Sequence, residues 1–78
     1  MEQGVKIVLN WFRNNNKKEG EIITAQQLLY LRTQYYSIQE KIDFNKTIQE
    51  LKDRGYLREN SKQQLALTDI GEREIYQY

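Results

Sequence analysis

The sequence of 78 residues contains neither cysteine nor histidine. The absence of cysteine excludes disulfides, thiolate metal sites and thiol nucleophiles. The remaining carboxylates, hydroxyls, tyrosines and lysines form no recognisable catalytic or metal-binding constellation. The four glycines are scattered as caps and turns and do not form a phosphate-binding loop. We therefore expect a protein that is not an enzyme and that needs no cofactor or metal.

Long apolar runs and targeting signals are also missing. No stretch approaches the roughly 18 apolar residues of a membrane span, and the N-terminus lacks the layout of a signal peptide. Hydrophobic residues make up 38% of the chain and aromatic residues 12%, which favours a globular core over disorder. The sequence predicts one cytoplasmic domain over residues 1–78, small enough for a partner subunit to help stabilise it.

Charge is nearly balanced, with 12 basic and 11 acidic side chains. Residues 41–62 hold six basic and four acidic side chains, whereas the segment after Thr68 holds one basic and three acidic. Nucleic-acid binding relies on positive charge that neutralises phosphates. The small positive excess of the chain therefore lies between residues 41 and 62.

The chain is organised around residues 44–71. Phe44, Ile48 and Leu51 recur at helical spacing up to Gly55, a residue suited to the left-handed C-cap. Two short strands, 56–59 and 64–68, follow and are joined into a hairpin by the polar run 60–63. Thr68 is a favourable N-cap for a closing helix.

Two motifs in this stretch, LKDRGYL and LALTDIG, carry a family resemblance. With the short polar hairpin between them, they resemble the signature of winged helix-turn-helix regulators, particularly the multiple-antibiotic-resistance (MarR) and phenolic-acid (PadR) groups. The resemblance implies a mostly helical α+β fold with a three-helix core, a two-stranded wing hairpin and a C-terminal helix. Residues 21–23 suit the short third strand that winged helices pair with the hairpin. The implied partner is double-stranded DNA.

The first helix is expected over residues 2–16, followed by a loop over residues 14–20. Its inward stripe consists of Val5, Val8, Leu9 and Phe12. Ile7 and Trp11 either widen this core face or bury against another subunit.

The second helix is predicted over residues 25–33 because Thr24 and Gln27 form a capping box. We expect it to bury its leucines: Leu28, Leu29 and Leu31. Tyr35 and Tyr36 follow in the turn, where they pack the corner between helices, stack on a nucleic-acid backbone or join a dimer surface.

The third helix is predicted from Ile38 to Arg54, started by a second capping box at Ser37 and Glu40. Its outer face carries polar residues: Gln39, Asp43, Lys46, Gln49, Glu50 and Asp53. Ile38 and Ile42 lie off the apolar stripe. Either the helix kinks near Asp43, or the two isoleucines fill a gap beneath the tyrosines.

The closing helix is predicted from Asp69 to Tyr78 with Ile70, Ile75 and both tyrosines as its apolar residues. Gly71 is expected to allow close packing against the first helix. In the MarR group a long C-terminal helix builds the dimer, whereas this one is short. We therefore expect a homodimer formed through the first and last helices.

The resemblance places the third helix in the major groove and the hairpin against the backbone or minor groove. Gln39 and Gln49 suit adenine, and Lys46 suits guanine. Thr24 and Gln26 suit phosphate at the start of the second helix. The predicted DNA-binding residues are Thr24, Gln26, Gln39, Asn45, Lys46, Gln49, Arg58, Asn60, Lys62 and Gln63.

Two other interpretations remain open. These polar residues are ordinary solvated surface, which is the stronger interpretation for Asp43, Glu50 and Asp53 because phosphates repel carboxylates. Alternatively, a winged domain with six tyrosines is a protein-interaction module, for example a phage or plasmid accessory protein. Salt distinguishes the two functions, since DNA binding weakens steeply as salt rises.

Overall fold

Two capping boxes start consecutive helices of the chain, as the sequence predicts. In the computed structural model, which describes the backbone of residues 2–77 and the side chains of residues 3–77, Thr24 caps one helix and Ser37 the next. The described residues form a mostly helical α+β fold of five helices and three strands. In chain order these are α1 (Glu2–Asn14), β1 (Ile22–Ile23), α2 (Ala25–Tyr35), α3 (Ile38–Ile42), α4 (Phe44–Asp53), β2 (Leu57–Glu59), β3 (Leu65–Leu67) and α5 (Asp69–Ile75).

The three strands form one antiparallel sheet in the order β1-β3-β2. The predicted hairpin is confirmed, with each strand shorter than predicted, and the predicted short strand at 22–23 pairs with β3. Leu57 is paired with Leu67, and Ile23 with Leu65, so that these side chains share one face and enter the core.

The hydrophobic core lies between this sheet and the helices. All four residues of the predicted α1 stripe are buried, and they pack with Leu51, Leu57, Leu67 and Ile75. Ile7 and Trp11 are partly buried against the same cluster, which agrees with the wide core face. At Gly4 the helix passes close to α4, since an added Cβ would lie 3.1 Å from Thr47 Oγ1.

The corner after α2 is filled by Tyr36 alone. Its side chain is 5% exposed, its hydroxyl donates a hydrogen bond to the Gly4 carbonyl at 2.6 Å, and its ring meets Phe44 edge-on. Burial raises the pKa of the Tyr36 phenol well above its ordinary value, and the nearby carboxylate of Glu40 adds to the shift. Tyr35 ends α2 and is 59% exposed, so corner packing holds for only one of the two tyrosines.

The predicted burial of α2 needs one correction. Leu31 is buried and Leu28 is half-buried, but Leu29 is 59% exposed. At about 100° per residue, Leu29 lies roughly 160° from Leu31 around the helix, so the two cannot enter one core together. The second helix also continues two residues beyond its predicted end, to Tyr35.

The prediction of a single third helix from Ile38 to Arg54 is wrong. The helix is interrupted at Asp43, where φ is −90° and ψ is 10°, and this separates α3 from α4. The kink near Asp43 is therefore confirmed. Ile38 and Ile42 are 80% and 70% exposed, so the alternative, in which they fill a gap beneath the tyrosines, is wrong.

The junction between α4, the hairpin and α5 is closely packed. Gly55 takes the left-handed conformation with φ of +79°, as predicted, and the Tyr56 N–H donates back to the Leu51 carbonyl. Gly71 does allow close packing, but its neighbours are the Tyr56 carbonyl and the Leu67 side chain instead of the first helix. The closing helix ends at Ile75, three residues earlier than predicted, and Tyr78 lies outside the described residues.

Candidate nucleic-acid interface

A groove of about 490 Å³ runs between the start of α2, one side of α4 and the hairpin. Its floor is apolar, because core residues reach the surface there: Ile23, Leu28, Ile48 and Leu65. Its rim is polar and is formed by Thr24, Lys52, Glu59, Lys62, Gln63 and Gln64, with Ala25 beside them. Three of the predicted DNA-binding residues, Thr24, Lys62 and Gln63, therefore meet at one surface although they come from distant parts of the chain.

The start of α2 presents its first backbone N–H groups at this rim. Thr24 Oγ1 accepts from the Gln27 N–H at 3.1 Å, and Gln27 Oε1 accepts from the Thr24 N–H at 2.9 Å. The capping box thus uses two of the four free N–H groups of a helix start. The other two belong to Ala25, which lines the groove, and to Gln26, whose side chain is exposed but is not part of the groove lining.

The outward face of α4 continues this surface. Asn45, Lys46 and Gln49 are exposed, while Thr47 and Leu51 are buried on the opposite side. At about 100° per residue, Asn45 and Gln49 lie on the same side of the helix as Lys52 at the groove rim. Lys46 is further around, roughly 100° from Asn45.

Carboxylates near this surface are held by partners within the chain. Glu59 pairs with Lys52 at 2.6 Å, which ties the hairpin to α4, and Glu50 pairs with Arg54 at 2.5 Å. Asp43 accepts from Gln39 at 3.2 Å, and Asp53 accepts from Gln49 at 2.9 Å. The cations Lys52 and Arg54 offset part of the repulsion that Glu59 and Glu50 would exert on a phosphate, whereas the neutral amides leave the charges of Asp43 and Asp53 in place.

Cations at this surface are less engaged. Among the side chains of residues 3–77, no acidic group lies within ion-pair distance of Lys46, Arg58 or Lys62. Lys46 and Lys62 are therefore positive charges available to an external anion, one on α4 and one at the hairpin turn.

The predicted DNA-binding residues of the hairpin have different positions and roles. Asn60 Oδ1 accepts from the N–H groups of Lys62 and Gln64, at 2.9 and 3.0 Å, so this side chain builds the turn. Arg58 is in register with Ala66, and Ala66 with Ile22, which places Arg58 on the sheet face away from α4. The groove therefore brings together Lys62 and Gln63 but not Arg58.

Gln39 lies on α3, where its amide is engaged with Asp43. Two residues outside the predicted set, Lys52 and Gln64, line the groove. Lys52 was recognisable from its helical spacing, seven residues after Asn45 and three after Gln49. Gln64 was not recognisable, because its position depends on the register of the hairpin.

A second groove of about 390 Å³ lies between α1 and α2, lined by apolar residues and asparagine amides. Ile7, Trp11, Leu31 and Tyr35 form its apolar part. Within the described residues, no group of three or more acidic side chains is placed to hold a metal ion. None of the helices in residues 2–77 has the length and apolar character needed to cross a membrane.

Comparison of the chain with protein-family models finds no match, and comparisons with curated proteins and with solved structures find none either.

Proposed function

We propose that the protein is a small winged helix-turn-helix regulator of transcription that binds double-stranded DNA through α4 and the hairpin. The element order supports this proposal, since a helix pair is followed by a hairpin whose second strand pairs with a short strand after α1. In this proposal α2 and the α3–α4 unit are the helix-turn-helix, and the hairpin is the wing.

The observation that carries the proposal is the groove between α2, α4 and the hairpin. It brings a helix start, one side of α4 and a hairpin turn around one concave surface. Lys62 at its rim and Lys46, which lies on another side of α4, lack acidic partners among the described residues. Duplex DNA has phosphates along both sides of each groove and base edges between them, so one protein surface can contact phosphates and bases together.

In the complex, α4 lies in the major groove with Asn45 toward an adenine edge. Gln49 reaches an adenine edge by giving up its hydrogen bond to Asp53. Lys46 contacts guanine or a neighbouring phosphate. Backbone N–H groups at the start of α2, with Thr24 and Gln26, bind a phosphate, and this contact fixes the register of the protein on the duplex. Lys62 and Gln63 contact the backbone beside the groove. Arg58, on the other face of the sheet, contributes less than these residues.

Fluorescence anisotropy with random duplex DNA tests the proposal, measured over a range of salt concentrations. The Lys46→Ala/Lys62→Ala variant should bind more weakly and show a shallower salt dependence, by about 0.9 in slope for each phosphate that is no longer neutralised. The matched control, Lys6→Ala/Lys18→Ala, removes the same charge from α1 and the loop after it and should leave the slope near that of wild type.

No binding at low salt would overturn the proposal. An equal loss of affinity in both double variants would also contradict it, because overall charge and not this surface would then govern binding.

The proposal includes a homodimer formed through α1 and α5, which would match a two-fold symmetric operator. Trp11 on α1 is partly buried, and Tyr76, directly after α5, is 39% exposed, so apolar surface remains on this side. Sedimentation equilibrium of wild type and of Trp11→Ala tests the dimer. A wild-type monomer at all concentrations would contradict it.

A second candidate function is protein binding. It is favoured by the exposed apolar side chains of α2 and α3, of which Tyr35, Ile38 and Ile42 are 59%, 80% and 70% exposed. The same salt titration separates the two functions, since an apolar protein contact does not weaken steeply as salt rises.

A further inference from the structure

Two isoleucines on α3 are unusually exposed for side chains of their kind. Ile38 is 80% exposed and Ile42 is 70% exposed, and α3 contains no buried residue. Their position four residues apart places them on one side of the helix. Nothing within the described residues covers them, so their apolar surface is available to a partner.

Exposed side chains continue from α3 into α4. The Asp43 N–H donates to the Gln39 carbonyl at 3.1 Å and ends α3, and the Asp43 carbonyl accepts from the Thr47 N–H at 3.0 Å and begins α4, so Asp43 is shared by the two helices at the bend. Ile38 and Ile42 lie on one side of α3, Asn45 and Gln49 lie on one side of α4, and all four side chains are exposed. These four side chains form the α3–α4 stripe.

This stripe is held in place at its N-terminal half. The Ser37 capping box fixes the start of α3, and Arg32 Nη2 donates to the Lys41 carbonyl at 3.2 Å. The guanidinium of Arg32 also lies over the Phe44 ring, 5.9 Å from its centroid. These contacts join α3 to α2 and α4, so the two isoleucines are presented in a defined position.

We propose that Ile38 and Ile42 contact the 5-methyl groups of thymine in the major groove, and that Asn45 binds an adenine beside them. This inference rests on the proposed function. Thymine is the base that presents an apolar group in the major groove, and Asn pairs with the adenine N6 and N7. The N-terminal residues of a recognition helix are those that contact base edges. The stripe therefore specifies a run of A·T pairs.

Duplex DNA fits this stripe better than a second copy of the chain does. The stripe continues into amides, which suit base edges, and Lys46 lies beside it without an acidic partner among the described residues. Positive charge beside an apolar contact complements phosphates that flank a methyl group.

The test compares duplexes that differ only in the methyl group. Binding of wild type to an alternating dA·dT duplex is measured against a dA·dU duplex, in which deoxyuridine lacks the methyl. We expect about fourfold weaker binding for each methyl group that the isoleucines no longer meet. A dG·dC duplex with and without 5-methylcytosine places the same methyl on another base and should show a difference in the same direction.

The same measurements are made with Ile38→Ala/Ile42→Ala and with Leu29→Ala. The Leu29 variant is a matched control, because it shortens another exposed aliphatic side chain, which is 59% exposed. The isoleucine variant should lose the preference for methylated duplexes, and the Leu29 variant should keep it. Comparing the proteins on each pair of duplexes removes effects of the methyl group on DNA shape.

Equal affinity of wild type for dA·dT and dA·dU would overturn the inference while leaving the proposed function intact. A preference that persists in the isoleucine variant would also overturn it. If the variant instead converts a wild-type dimer to a monomer by sedimentation, with no methyl preference in wild type, the stripe binds a second copy and the inference fails. Absence of binding to every duplex at low salt would overturn the proposed function itself.

Discussion

The hairpin–α5 junction and the α3–α4 stripe differ in how closely their residues are packed. At the junction, Gly71 packs against the Tyr56 carbonyl, and the Thr68 hydroxyl accepts from the Gly71 N–H and donates to a backbone carbonyl before the hairpin. On the stripe, Ile38 and Ile42 remain largely in water. The junction therefore stabilises the fold, whereas the stripe adds little to stability and is available to a partner.

The strongest test of this comparison is Gly71→Ala, which should cause the largest loss of stability. An added Cβ would collide with the Tyr56 carbonyl oxygen and lie 2.8 Å from Leu67 Cδ1. We expect the free energy of unfolding to fall by about 3 kcal/mol in urea denaturation, although alanine favours a helix more than glycine does. Arg73→Ala on the exposed side of α5 is the control and should change stability little. If Gly71→Ala is as stable as wild type, the junction accepts a methyl group and is loosely packed.

A smaller loss is expected from Thr68→Val, which keeps the shape of the side chain but removes its hydroxyl. Thr68 Oγ1 accepts a hydrogen bond from the Gly71 N–H at 2.9 Å. Its own proton can be donated to the Gly55 or the Tyr56 carbonyl, since both lie within hydrogen-bond distance. Losing this cap and the half-buried hydrogen bond that the hydroxyl donates should lower the free energy of unfolding by about 2 kcal/mol. Thr68→Ser should retain most of it. If thermal unfolding shows Val and Ser equally stable, the hydroxyl does not hold the junction.

Tyr36→Phe should cost less at neutral pH, about 1 kcal/mol, because it removes one buried hydrogen bond to the Gly4 carbonyl. The pH dependence is more specific. Burial raises the pKa of the Tyr36 phenol in the folded state, so above pH ~10 the unfolded chain releases this proton and the folded chain keeps it.

The Tyr36 contribution is therefore fully present below pH ~10 and declines as pH rises beyond it, at up to about 1.4 kcal/mol per pH unit. The difference in unfolding free energy between wild type and Tyr36→Phe, measured from pH 8 to 11, should shrink at the alkaline end. A constant difference would mean that the phenol ionises in the folded state as it does in water.

The smallest effect is expected on the stripe. Ile38→Ala/Ile42→Ala should change the free energy of unfolding by less than about 0.5 kcal/mol, because both side chains are mostly exposed and alanine favours a helix. Urea denaturation beside Gly71→Ala makes the contrast direct. A decrease above about 2 kcal/mol would show that the isoleucines pack within the chain.

Features that depend on a few neighbouring residues were predictable. The caps at Thr24, Ser37 and Thr68 and the left-handed Gly55 all agree with the structure, since each is a contact between residues at most four positions apart or a property of one residue. The α1 stripe was also predictable, because its helical periodicity places four apolar side chains on one face.

Features that depend on packing partners were not predictable in the same way. Leu29 and Leu31 are the same residue type, and only the rotation of α2 about its axis decides which of them is buried. The glycine at position 71 predicted close packing, but the sequence does not identify the neighbouring group, which is the Tyr56 carbonyl. For the candidate site, residue types pointed to α4 and the hairpin, but strand register placed Arg58 on the far face and Gln64 at the groove.

Local residue patterns in this chain are enough to set where α2, α3 and α5 begin, because caps act within a few residues, whereas α2 and α5 end two or three residues away from the predicted positions. Which surfaces meet is set by the packing of the whole chain. That packing leaves Ile38 and Ile42 in water and forms the groove between α2, α4 and the hairpin. These outcomes depend on how one core is filled by segments far apart in the chain, and local patterns carry no information about that geometry.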